Sequence, residues 1–130
     1  MRTAQELFNE VVTHLRKQNK QSLSVNGSCM YRGVDGLKCA IGYLIPDECY
    51  HDDMEGAFFG ELPRYNHEAR SFCPQVQPFP TALLQEFKDN EELLLELIHI
   101  HDDHTPLEWE ERFEKLAEML DLQLFPKELE

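Results

Sequence analysis

The sequence predicts a single, mainly α domain of the α+β kind, with about four to five helices and a short β-hairpin near residues 25–38. Three observations lead there. Apolar residues recur at helical spacing at the N-terminus and again through the last third of the chain, each time behind a helix-start signal. Two tight-turn pairs, Asn26-Gly27 and Asp35-Gly36, lie close together between those regions. The chain has 130 residues, one domain's length, and can bury a core without disulfide or metal staples.

The first helix begins at Thr3, which stands three residues before Glu6 in the relation of a capping box. Leu7, Phe8, Val11, Val12 and Leu15 define its apolar face, and Arg16, Lys17 and Lys20 place positive charge where the helix dipole favours it. The helix should fade near residues 18–21. Residues 25–28 then read as a turn, Cys29–Arg32 as a short strand, and residues 33–36 as a second turn. The compact apolar run Cys39–Ile45 fits a buried short helix or a strand, and its length leaves both open. Pro46-Asp47-Glu48 ends that run and is placed to start another helical turn.

Asp52, Asp53, Gly56, Gly60 and Pro63 break up the next apolar residues. Across residues 63–80 no period of 2 or 3.6 survives, and four prolines mark a long loop, read as an insertion into the domain. Its aromatics, Tyr65, Phe72 and Phe79, should tack it to the body. Residues 81–87 form two helical turns, and Asp89 or Asn90 caps the helix that follows, with Leu93, Leu94, Leu97, Ile98 and His101 on one face. Thr105-Pro106-Leu107-Glu108 is a second capping box with proline at the first helical position. Trp109, Phe113, Leu116, Ala117 and Leu120 form the clearest amphipathic stripe in the chain, so the last two helices should pair antiparallel.

Charge narrows the partners. The formal net charge is −13, and it is uneven: residues 1–50 hold six basic and five acidic side chains, residues 51–130 six basic and twenty acidic. Direct binding of nucleic acid is unfavourable, because affinity for phosphates comes from Lys and Arg. An anionic membrane surface is disfavoured on the same Coulombic ground. A basic protein is attracted, unless the acidity serves only solubility. Residues 1–20 lack the unbroken apolar core of a secretory signal, and the densest apolar run, Leu93–Ile100, is too short to span a membrane. The expected location is the cytoplasm, where Cys29, Cys39, Cys49 and Cys73 remain free thiols.

The histidines of residues 99–104 have the look of a metal cluster, but on a helix His99 points away from His101 and His104. The cysteines form no C-x₂-C pair, so the sequence predicts no metal and no cofactor, with His101 packed in the core and bonded through a ring nitrogen. Cys39 follows Lys38, a neighbour that can lower a thiol pKa, and Cys49 stands two residues before His51. No glycine-rich phosphate loop is present.

Residues 31–42 (YRGVDGLKCAIG), then Leu44-Ile45-Pro46-Asp47-Glu48, Met54-Glu55-Gly56, Ile100-His101-Asp102 and Pro106-Leu107-Glu108-Trp109 make a pattern that covers most of the chain outside 63–80. It resembles small uncharacterised proteins of bacteriophages and bacterial genomes. The resemblance implies a phage or prophage setting and action in a bacterial cytoplasm; it implies no activity. In physical terms the motif reads as fold-making: Gly33 and Gly36 permit unusual turn angles and Gly42 a close approach. Arg32, Asp35, Asp47 and Glu48 are its polar exceptions, placed to line a shared pocket.

The expectation is therefore a non-catalytic phage-type protein that binds and modulates a host or phage protein. A particular version is a nucleic-acid mimic or counter-defence inhibitor aimed at a basic nucleic-acid-binding protein. Its contact surface would combine an acidic row on the last helix, Glu110, Glu114 and Asp121, with Tyr65, Phe72 and Phe79 of the loop; Glu108, Glu111 and Glu118 spread over the face behind the row. The alternative is a small metal- or thiol-dependent enzyme using Cys39, Cys49, His51 or His101.

Overall fold

Thr3 and Glu6 close the start of the first helix, α1 (Ala4–Gln18), by exchange: the Glu6 amide donates to Thr3 Oγ1 at 3.1 Å and the Thr3 amide to Glu6 Oε1 at 3.0 Å. The helix ends at Asn19, whose left-handed φ of 48° lets its amide reach Leu15 O. The structure is a computed structural model that describes residues 1–127. Five further α-helices follow among those residues: α2 (Ala40–Leu44), α3 (Leu62–Phe72), α4 (Thr81–Asp89), α5 (Glu91–Asp103) and α6 (Pro106–Met119). Single 3₁₀ turns stand at Val34–Gly36, Asp47–Cys49, Asp52–Met54 and Phe59–Glu61.

The α5 helix is the axis of the fold: α1, α2, α4 and α6 all pack against it, and α1 also packs against α2. Its buried arc, Leu93, Leu94, Leu97, Ile100 and His101, is wider than one stripe, as a helix enclosed on several sides requires. The α6 helix starts as its sequence dictates, with the Glu108 carboxylate accepting from the Thr105 amide at 3.0 Å, and buries Trp109, Phe113, Leu116 and Ala117. No helix among the described residues is long and apolar enough to cross a membrane.

The expected β-hairpin near 25–38 is not formed, and the described fold is all-helical rather than α+β. Only two isolated bridges occur there, Leu23 with Cys29 and Arg32 with Lys38. The turn chemistry is real: Asp35 and Gly36 both have positive φ, 60° and 73°, as a tight hairpin turn demands, and the Leu37 amide closes on Val34 O. What fails is the ladder. The amides of Tyr31 and Arg32 donate to the Glu55 carboxylate at 2.9 and 3.0 Å, and the Gly33 amide divides between Leu37 O and Ser22 Oγ. Backbone groups already satisfied by side chains leave nothing for a second pair of rungs.

The long loop expected over 63–80 is also corrected, because its first half is α3. Pro63 lies in the first turn, where a missing amide costs nothing. The buried face of α3 is Leu62, Asn66 and Ala69, a helical spacing with a polar residue at its centre. Asn66 Nδ2 donates to Cys49 O and Gln77 O, both at 3.0 Å, and Oδ1 accepts from the Phe79 amide at 3.2 Å. The irregular stretch after Phe72 is thereby tied down, with Val76 and Phe79 buried.

Candidate functional site

The glycine-containing motif folds around one guanidinium. Arg32 donates through Nε to Gly42 O at 3.2 Å and through Nη2 to Ile45 O at 2.6 Å, carbonyls at the end of α2 that a short helix leaves without partners. Its Nη1 meets Asp47 Oδ1 at 2.8 Å, and its plane lies 4.9 Å from the Tyr50 ring centre. Arg32 and then the charge of Lys38 hold the Asp47 carboxyl below the usual carboxylate range. Besides the Tyr31 and Arg32 amides, Glu55 accepts the Tyr50 hydroxyl at 2.6 Å. That phenol is pushed well above its ordinary pKa, by burial first and then by its bond to Glu55. A Cβ on Gly42 would stand 1.8 Å from Tyr31 O, and one on Gly33 2.6 Å from the Leu23 backbone. Of the four polar exceptions only Arg32 and Asp47 meet; Asp35 holds the turn at 33–36 and Glu48 is exposed. The motif is a clamp between residues 31–33, α2 and residues 47–55, with Arg32, Asp47, Tyr50 and Glu55 spent on one another and on the backbone.

The side chains named for chemistry are likewise engaged. Cys39 is the N-cap of α2, its Sγ accepting from the Gly42 amide at 3.3 Å, and burial pushes its thiol up to about 12. The Cys49 thiol donates to Pro78 O at 3.4 Å and is also raised by burial. His51 caps a 3₁₀ turn, its Nδ1 accepting from the Asp53 amide at 3.0 Å. His101 is 0% exposed, stacked beside Trp109 with ring centres 5.7 Å apart. Its Nε2 accepts from the Ser22 amide at 2.9 Å, so the ring proton sits on Nδ1, which donates to Asp102 Oδ1 at 2.6 Å. Gln21, one residue away, caps the end of α5 by donating to His101 O at 2.9 Å and His104 O at 3.2 Å.

Cys29, His101 and Asp102 bring one ligand-type atom each to within 4.8 Å of one another, a grouping the sequence did not announce because residues 29 and 101 are far apart in the chain. Its chemistry does not suit a cation. A metal on Nδ1 would require a proton on Nε2, facing the Ser22 N–H that Nε2 now accepts. The Cys29 thiol, moreover, is pushed up to about 11, by burial first and then by the neighbouring Asp102. Among the described residues no Cys and His side chains hydrogen-bond to each other.

The proposed contact residues are dispersed. Phe79 is 5% exposed and packs against Phe87 in the core, so it is not a surface residue. Tyr65 is half-buried under Arg64, while Phe72 is 60% exposed, its edge against His51. On α6, Glu110 is paired with Arg16 of α1, and Glu114 is exposed and enters no ion pair among the described residues. Asp121 leaves the row because α6 ends before it: Asp121 takes φ 54°, its amide and that of Leu122 turn back to Glu118 O and Ala117 O, and the chain reverses.

Glu118, assigned to the face behind the row, replaces it. Glu110, Glu114 and Glu118 line one side of a groove of about 540 Å³, with Ala117 beside them and Leu122, Leu124 and Phe125 as its apolar lining. Phe125 is 57% exposed. The outer wall, residues 122–127, is fixed by Gln5, whose side-chain amide donates to Gln123 O and accepts from the Gln123 amide, both at 2.8 Å. The alternation Leu122-Gln123-Leu124 beyond the helix end is the sequence signal that could have announced this wall. No protein-family model, curated protein or solved structure matches the chain.

Proposed function

We propose that this chain is a non-catalytic, acidic phage-type protein that binds and modulates a basic host or phage protein in the bacterial cytoplasm, acting through the carboxylates of α6. The observation that carries the reading is the unpaired charge that lines the groove on α6. Arg32, Asp47 and Glu55 are consumed by the fold, as are Cys39, Cys49, His51 and His101. Glu114 and Glu118 are exposed, one turn apart, and enter no ion pair among the described residues. Like charges at that spacing weaken a helix slightly, so a row of them has no local structural benefit and fits a role in attracting a partner. Nucleic-acid mimicry is the specific form of this reading, with the row standing in for phosphates on a protein that normally grips them. Its test is capture from host-cell extract by the parent and by the Glu114→Lys/Glu118→Lys variant, with captured proteins identified by mass spectrometry. The reading expects a basic protein held by the parent and released by the variant; equal capture by both removes its basis.

A further inference from the structure

We propose that the groove between α6 and residues 122–127 docks a basic amphipathic helix of the protein partner, an inference that rests on the binding function above and names its occupant. Two features converge in the groove. One wall is a row of carboxylates at i, i+4 and i+8, Glu110, Glu114 and Glu118, spanning about 12 Å along α6. The opposite wall, residues 122–127, carries the apolar lining, with Leu122 and Leu124 half-buried and Phe125 exposed.

Charge complementarity selects the occupant's chemistry. Arg16 already answers Glu110, whereas Glu114 and Glu118 enter no ion pair among the described residues, with Lys127 of the lining or with any other cation, and are the carboxylates left for a partner's Lys or Arg. Geometry selects its shape. The groove presents acid and apolar surfaces side by side. A helix carries cationic and apolar stripes on adjacent faces and repeats each with the same pitch as the row on α6. An extended segment that alternates cationic and apolar residues sends the two kinds to opposite faces and so presents only one of them to the groove. The wall is also built in advance: the Gln5–Gln123 pair and the Leu122 amide on Ala117 O fix it, so docking need not first order the segment.

The test uses the full chain and two synthetic Lys/Leu peptides of one composition and about 14 residues, four helical turns. One peptide is patterned with helical period and the other alternates strictly. The proposal expects the helical isomer to bind about tenfold tighter or more. It also expects the amide NMR shifts to change at Ala117, Leu122 and Phe125, and Phe125→Asp, at a 57% exposed position and with an unchanged urea midpoint as its control, to remove the preference. Equal binding of the two isomers, or shift changes confined to other faces, overturns it. The two levels of the reading separate on the natural partner captured as above. Capture lost in Glu114→Lys/Glu118→Lys but intact in Phe125→Asp rejects the helix-in-groove model and keeps the acidic-face function; capture intact in both variants rejects both.

Discussion

His101 shows how one residue can resemble a functional group and be a structural one. The sequence places it on the core face of a helix, and the structure gives both ring nitrogens fixed partners, Ser22 and Asp102. Replacing it with Ala leaves the Ser22 amide and part of the Asp102 carboxylate unpaired beside a cavity, at a cost of about 3–5 kcal/mol, read as a lowered urea midpoint. Glu86 gives the acid side of the stability curve. Its carboxylate accepts the Arg2 amide, Nε and Nη2 at 2.6, 3.1 and 2.9 Å, and these bonds hold its pKa below the ordinary 4.5. The stabilisation is present above that ordinary value and is lost as pH falls through the lower folded one. Glu86→Gln therefore loses about 1–2 kcal/mol at neutral pH and narrows its deficit toward the parent as both are acidified. Parallel acid limbs in urea titrations of the two proteins would contradict this.

At the scale of elements, what the sequence announces is what local chemistry decides. Thr3 with Glu6 and Thr105 with Glu108 mark the starts of α1 and α6 because caps act within one turn, and the stripe from Trp109 to Ala117 needs only its own period. Asp35-Gly36 likewise announces a tight turn, yet the hairpin around it is absent because Glu55, about twenty residues on, takes the amides that a strand would use. The α3 helix carries no apolar stripe for a related reason: its buried face is centred on Asn66, whose partners lie in other segments. Asn66→Ala frees that tie, and limited proteolysis should then cut the variant within residues 73–80 well before the parent. A parent nicked there equally fast would show that Asn66 does not hold the segment. Gly42→Ala tests the close crossing of α2 and Tyr31. The added methyl meets backbone at 1.8 Å, so a loss of about 3 kcal/mol or a failure to fold is expected, against the mild gain that Ala brings to an open helical site.

Across the whole molecule, the charge asymmetry is plain in the sequence, but the surface that uses it is not. A helical wheel groups Glu110 and Glu114 with Asp121 only if α6 runs past Met119; the chain reversal at Asp121 removes that residue and leaves Glu118 in the groove. Phe125, beyond the helix, has no periodic signal at all, and Phe79, picked out as a contact residue, is spent on the core. The fold clamps its motif residues on one another and, beside the groove on α6, leaves Glu114 and Glu118 without an ion pair among the described residues. That these two carboxylates capture the partner is best tested by one titration: the affinity of the captured partner for the parent and for Glu114→Lys/Glu118→Lys as salt is raised from about 0.05 to about 0.3 M, a range over which exposed charges become strongly screened. The account predicts a parent affinity that falls about tenfold or more across this range, and a variant that binds weakly throughout with little salt dependence. An affinity that is flat in salt, or a variant that binds like the parent, would contradict it.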